Sequence, residues 1–133
     1  MINVLLIDDE KDVRESIAQV LSRAGYHVQV ANTVEAGLAM LDKGDYELLI
    51  SDIIMPGANG VQAIEEARER NRTIKIMAIS GGGNFGPKDY QPQAIATTAY
   101  LQAATEAGAD AILTKPFTRA ELVERVSSLL QAE

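Results

Sequence analysis

The stretch Leu48-Leu49-Ile50-Ser51-Asp52, continued by Ile53-Ile54-Met55-Pro56-Gly57, decides how the rest of the chain is read. Three apolar residues lead to a single carboxylate, and Pro-Gly stops the run. An apolar run this short, bounded by Pro and Gly, reads as a buried strand rather than a helix. Asp52 then stands at the lip of a core. An ionised carboxylate there is costly unless a cation or hydrogen-bond donors compensate it.

On the N-terminal side, Ile2 to Ile7 is nearly all apolar and ends in Asp8-Asp9. Continuous apolar strands imply a sheet covered on both faces, usually a parallel one. Asp12 to Ala24 carries Val13, Ile17, Val20, Leu21 and Ala24 on one helical stripe, and Gly25 is a natural stop. His27 to Ala31 is a weaker, alternating strand suited to a sheet edge. Asn32 or Thr33 can cap a second helix with Val34, Leu38 and Leu41 inward, ended by Gly44.

On the C-terminal side, a Met55-to-Gly60 turn leads to a helix carrying Val61, Ile64 and Ala67. Ile74 to Ile79 is a further buried strand ending in Ser80. A glycine-rich loop follows, and a fourth helix is expected to begin between Asp89 and Gln93 and to run to Ala107, stopped by Gly108. Ala111 to Thr114 is a short strand ending at Lys115-Pro116. Thr118-Arg119-Ala120-Glu121 fits a capping box, with Phe117 and Leu122 as a hydrophobic staple and Leu122, Val126, Leu129 and Leu130 as the inward stripe. Five rounds of strand then helix predict one doubly wound α/β domain with a five-stranded parallel sheet, spanning residues 1–133 without a linker or output domain.

Composition narrows the function. The 133 residues suit a single domain, and 47% hydrophobic content supports a sizeable core. A formal net charge of −7 argues against a nucleic-acid footprint and against an anionic membrane surface. There is no Cys and one His, His27, so thiolate metal sites, histidine clusters and a Ser-His-Asp triad are excluded. No apolar run approaches a membrane span, and Met1-Ile2-Asn3 lacks the basic start of a signal peptide, so the expected compartment is the cytoplasm.

Four strands end in reactive groups: Asp8-Asp9, Asp52, Ser80 and Lys115. In an open parallel sheet such ends share one edge, where ligands bind. Asp8, Asp9 and Asp52 would repel one another there, and a hard divalent cation such as Mg²⁺ resolves this with oxygen ligands and retained waters. Asp9 and Asp52 are expected to bind it directly, Asp8 through water or by orienting. A carboxylate can also attack a phosphoryl group to give an aspartyl phosphate, with Lys115 and the Ser80 hydroxyl neutralising charge.

These residues resemble the receiver domain of two-component response regulators. The resemblance rests on Leu5-Leu6-Ile7-Asp8-Asp9-Glu10, on Asp52-Ile53-Ile54-Met55-Pro56 with Asn59-Gly60, on Ser80 and on Lys115-Pro116-Phe117, and it runs from Val4 to Leu130. It implies a flavodoxin-like fold with strand order 2-1-3-4-5. It implies that Asp52 accepts phosphate from a histidine kinase or phosphotransfer protein. Asp8 and Asp9 would be the acidic pair for Mg²⁺, with the Ile54 backbone carbonyl as a further ligand. Ser80 would be the switch hydroxyl, Lys115 its charged partner before a cis Pro116, and Pro56 and Gly60 would shape the turn. Phosphorylation would change the surface around the last two strands and helices, for an unidentified downstream protein, in a monomer or a phosphorylation-linked dimer. Such a module catalyses only its own phosphorylation and dephosphorylation.

Two departures stand out. The position three before Lys115, often aromatic in similar receivers, is Ile112, with Tyr100 and Phe85 as substitutes. The 35 positions from Ser80 to Lys115 (115 − 80) exceed what one loop and one helix need, and Gly81 to Pro92 is expected to be mobile without phosphate.

Blander readings compete residue by residue. Asp8-Asp9 alone suits a helix start, and Lys115 alone suits a surface; their alignment with Asp52 and Ser80 favours function. Gly81-Gly82-Gly83 lacks the Gly-Lys-Ser/Thr of a nucleotide loop. Met40, Met55 and Met77 read as packing, His27 as a half-exposed strand residue, and Glu65-Glu66 with Arg68-Glu69-Arg70 as a solvated helix face. An aspartate-nucleophile phosphohydrolase would want a carboxylate where Ile54 stands. A flavodoxin would not cradle a flavin phosphate with acids, and an unphosphorylated adaptor would not need the Asp, Ser and Lys set.

Overall fold

Leu48–Asp52 forms the central strand, β3, buried at every position. The computed structural model describes residues 2–55, 58–80, 102–114 and 117–131. On one side of β3 lies β1 (Asn3–Ile7) and beyond it the edge strand β2 (His27–Ala31). On the other lie β6 (Lys75–Ser80) and β7 (Ala111–Thr114). All neighbours are parallel, in the order β2-β1-β3-β6-β7. Among main-sheet strands taken in chain order this is 2-1-3-4-5, the flavodoxin-like arrangement.

The helices cover both faces. Helix α1 (Lys11–Arg23) and helix α5 (Arg119–Gln131) bury Ile17, Leu21, Leu122, Val126 and Leu129 against Val4, Leu6, Leu48, Ile50, Met77 and Ile79. On the opposite face α2 (Val34–Lys43), α3 (Gly60–Arg70) and helical residues 102–107, α4, pack on Leu5, Ile7, Leu49, Ile76 and Ala78. Adjacent strand residues point to opposite faces, which is why an unbroken apolar strand feeds two separate cores.

Local chemistry sets the element ends. Thr33 Oγ1 accepts from Ala36 N at 3.1 Å and starts α2. Thr118 and Glu121 exchange two bonds of 3.0 Å each, the reciprocal capping box, and Phe117 packs into the same core as Leu122. Gly25 and Gly108, at φ 102 and 125, stop α1 and α4 in the left-handed conformation that glycine adopts without a steric penalty.

Three differences from the sequence reading matter. The stretch expected as a Met55-to-Gly60 turn contains a two-stranded antiparallel hairpin, β4 (Ile54–Met55) and β5 (Ala58–Asn59), because backbone groups flanking Pro56-Gly57 pair with each other. His27 is exposed rather than half-exposed, since β2 is an edge strand with Val30 also 43% exposed. Arg68 does not belong to a solvated face: it is half-buried and bonded to four groups. The start of the fourth helix, the Gly81-to-Pro92 loop, Phe85 and Tyr100 lie outside the described residues.

Candidate functional site

Because β1, β3, β6 and β7 are contiguous and parallel, their C-terminal ends share one edge of the sheet. Asp8 follows β1 directly and is fully buried. Its position is fixed from several sides. Its N–H donates to the Ala31 carbonyl at 3.2 Å, and its Oδ1 accepts from Glu10 N at 2.9 Å. Arg14 Nη1 donates to its carbonyl at 2.9 Å. Asp9, next to it, is exposed. Asp52 ends β3 and is 3% exposed. The residue after it is tied to β6 by Ile53 N to the Ile79 carbonyl at 3.1 Å.

The three carboxylates converge: one oxygen from each of Asp8, Asp9 and Asp52 lies within 4.8 Å of the others. Two unit charges at that separation repel by about 3 kcal/mol at an effective dielectric of about 20. The buried pair Asp8 and Asp52 feels this most, whereas Asp9 is screened by solvent. Three hard oxygen donors, two buried and one open to water, suit a hard divalent cation that keeps part of its hydration shell. The cluster could therefore hold a metal ion such as Mg²⁺.

The other expected site residues distribute as follows. Ser80 ends β6 opposite Thr114, the last residue of β7, so the backbone places Ser80 level with the neighbour of Lys115. Ile54 opens β4, two positions past Asp52, and Gly60 opens α3. Pro56, Lys115 and Pro116 lie outside the described residues. Ile112, at the position often aromatic in similar receivers, is half-buried and packs against the core that includes Ile76 and Ala104.

Sequence reasoning missed Arg14. It lies six positions after Asp8, one face of α1 away, and its bond to the Asp8 carbonyl fixes the turn that presents both acids. The available signal was an arginine in the first turn of the helix that follows an acidic pair.

Over residues 4–127 the chain matches the family model of the response regulator receiver domain. The protein belongs to that family. This receiver domain is 31% identical over 131 residues to the transcriptional regulatory protein CpxR of Klebsiella pneumoniae, covering 98% of this chain and 50% of that protein. It is 32% identical over 128 residues to CusR of Escherichia coli, covering 96% of this chain and 51% of that one. The chain thus spans about half the length of the curated relatives it matches.

Solved structures agree on the fold. A CheY-like receiver from Methanospirillum hungatei superposes with a TM-score of 0.81 at 25% identity, covering 98% of this chain and 94% of that one. The chemotaxis protein CheY4 of Vibrio cholerae gives 0.80 at 24% identity, over 97% and 98%. The response regulator TrrA of Thermotoga maritima, solved in complex with Mg²⁺-BeF, gives 0.76 at 29% identity, over 97% and 99%. Receiver domains are signalling modules of two-component systems. No helix among the described residues is long and apolar enough to cross a membrane.

Proposed function

We propose that this receiver takes a phosphoryl group onto Asp52 from a histidine kinase or phosphotransfer protein, and that the modified surface is read by a partner protein. The observation that supports this reading is the convergence of Asp8, Asp9 and Asp52 at the end of the central strand. An Asp52 carboxylate oxygen forms the new bond to phosphorus, and the bond from phosphorus to the donor's imidazole nitrogen breaks. The nitrogen keeps the electron pair, and Asp52 becomes an acyl phosphate.

Asp8, Asp9, Asp52 and the Ile54 carbonyl would hold Mg²⁺, which when bound supplies charge neutralisation at the phosphoryl oxygens. Asp8, anchored by Glu10 N and Arg14, orients the acidic turn rather than moving. Ser80 and Lys115 would donate to the transferred group, with Pro56, Gly60 and Pro116 shaping the surrounding turns. The protein thus alters itself and turns over no separate substrate. Working in the cytoplasm, it would act as a monomer or as a dimer linked to phosphorylation. That the similar protein TrrA was solved in complex with Mg²⁺-BeF supports this reading.

Intact mass after incubation with Mg²⁺ and a small acyl phosphate tests the reading. One added phosphoryl group is expected in the wild type, absent without Mg²⁺ and absent in Asp52→Asn. If no adduct appears, a beryllofluoride titration followed by amide NMR decides. Shifts around Asp52 and Ser80 would signify fast hydrolysis, and an unchanged spectrum would refute the acceptor role.

A further inference from the structure

Arg68 joins three segments at the sheet edge opposite the carboxylates. Its Nη1 donates to the carbonyls of Arg72 at 3.0 Å and Ile74 at 2.6 Å. Its Nη2 donates to the Gly108 carbonyl and to Asp110 Oδ2, each at 2.7 Å. A Cβ at Gly108 would meet the Arg68 side chain at 3.2 Å, so the arginine lies directly over that turn. Asp110 in turn closes the β6–β7 ladder at its lower end. Its N–H donates to the Ile76 carbonyl at 2.7 Å, and its Oδ2 accepts from Ile76 N at 2.9 Å. The ion pair is only partly open to water, with side chains 23% and 35% exposed.

Each segment gathered by Arg68 leads to one candidate reactive group at the other edge. Helix α3 follows Asp52 through the β4–β5 hairpin, β6 runs up to Ser80, and β7 runs up to Thr114, the neighbour of Lys115. From Ile76 to Ser80 the distance along the strand is roughly 13 Å. The β6–β7 pairing is short, from Met77↔Ala111 to Ser80↔Thr114. A slip of one residue in it would turn the side chains of the edge strand β7 to the other face, while β6 stays registered on β3. Asp8 and Asp9 follow β1, which pairs with β2 and β3, and Asp52 pairs with Ile79 in the β3–β6 ladder; Arg68 bonds no residue of these ladders.

We propose that Arg68 is a positioning residue for phosphoryl transfer. Through Asp110 it sets the register of β7 on β6 and so holds Thr114, the residue before Lys115 in the sequence, level with Ser80, while leaving the metal-binding half of the site alone. The inference rests on the reading of Asp52 as phosphoryl acceptor.

The test separates the two halves of the site. The full chain is compared as wild type, Arg68→Ala, Asp110→Asn (an acceptor for Ile76 N–H without the ion pair) and Arg70→Ala. The last removes an exposed pair with Asp42 from the same helix. Mg²⁺ affinity is read by amide NMR titration, and phosphoryl uptake from acetyl phosphate is read at saturating Mg²⁺. In Arg68→Ala the uptake rate is expected to fall about fivefold or more, with a smaller fall in Asp110→Asn. Mg²⁺ affinity should stay within about twofold of wild type, since the two groups are distant and share no partner. Arg70→Ala should change neither.

An unchanged rate in folded Arg68→Ala overturns the proposal, as does a loss of Mg²⁺ affinity in step with the rate. If Arg68→Ala does not fold, Asp110→Asn is judged by the same two readouts. If the wild type takes up no phosphoryl group and beryllofluoride leaves its amide spectrum unchanged, the acceptor reading fails by itself. The register role is then read by amide exchange. Exchange about tenfold faster at Ser80 and Thr114 in the variant, with Asp52 and Ile53 unchanged, supports it, and equal rates overturn it.

Discussion

Gly37, in the middle of α2, sits against Ile7, the last residue of β1. A Cβ built there would overlap Ile7 Cδ1 and lie 2.6 Å from Ile7 Cγ1, with Ala31 Cβ at 3.6 Å. Ile7 is fully buried and β-branched, so neither rotation nor solvent offers it another place. Replacing Gly37 with alanine sets two effects against each other. Helix propensity favours alanine by about 1 kcal/mol. Overpacking costs about 1–3 kcal/mol, and a clash with a fully buried side chain that is stiff at χ1 belongs at the upper end. The expected net result is a loss of about 1–2 kcal/mol.

In an Ile7→Ala background the clash is gone and a cavity remains, after a loss of about 2–5 kcal/mol from that change alone. There Gly37→Ala should stabilise by about 1 kcal/mol from propensity and about 0.8 from the buried methyl. The sign of one substitution thus reverses with the identity of a residue thirty positions away, and the coupling is about 3 kcal/mol. Urea unfolding of the four proteins measures it. With a slope near 1.5 kcal/mol per molar, Gly37→Ala moves the midpoint by roughly 1 M, downward in the wild-type background and upward in Ile7→Ala. If Gly37→Ala raises the midpoint in the wild-type background, the close packing of α2 on β1 does not govern this position and the reasoning fails.

Other outcomes follow from the same structure. Mg²⁺ at about a hundred times its dissociation constant should stabilise the wild type by about 2.7 kcal/mol, visible as a rise in Tm, and the rise should shrink sharply in Asp9→Asn and Asp52→Asn. Thr118→Ala removes one half of a reciprocal cap and should cost about 1 kcal/mol, measured by calorimetry as a fall in Tm of a few degrees. Ile64→Ala, at a fully buried position of α3, should cost about 2–5 kcal/mol in a urea titration, whereas Glu65→Ala, one residue on and exposed, should be nearly neutral.

Much of this architecture could be read from the residues because β1, β3 and β6 are buried on both faces and therefore apolar at successive positions. Caps at Thr33 and Thr118 and glycine stops at Gly25 and Gly108 were legible because each has a local stereochemical cause. The acids could be placed on one edge because parallel strands leave no other arrangement. What stayed hidden was long-range. Arg68 lies on a charged stretch that looks solvated, and its partners at Gly108 and Asp110 are forty or more positions away. The contact of Gly37 with Ile7 leaves no pattern in the sequence, although an isolated glycine inside a helix carries a cost that close packing explains. The β4–β5 pairing was missed because two-residue strands have no periodicity to detect.

The two faces of the sheet differ in when they can be completed. The face under α2 and α3 is assembled mostly from residues within the first 80 or so positions, and Ala104 of α4 is added to it later. The face under α1 needs α5, whose Leu122, Val126 and Leu129 pack onto Val4, Leu6 and Ile50 more than seventy positions earlier. As the chain leaves the ribosome, one side of β1 and β3 can therefore be largely covered while the other, under α1 alone, still shows part of its strip of leucine, isoleucine and valine. That half-roofed species is the one most exposed to mispairing with another nascent chain. Its lifetime is set by the time to synthesise the last fifty residues, so slower elongation late in the message would lower the yield of folded protein without changing its stability.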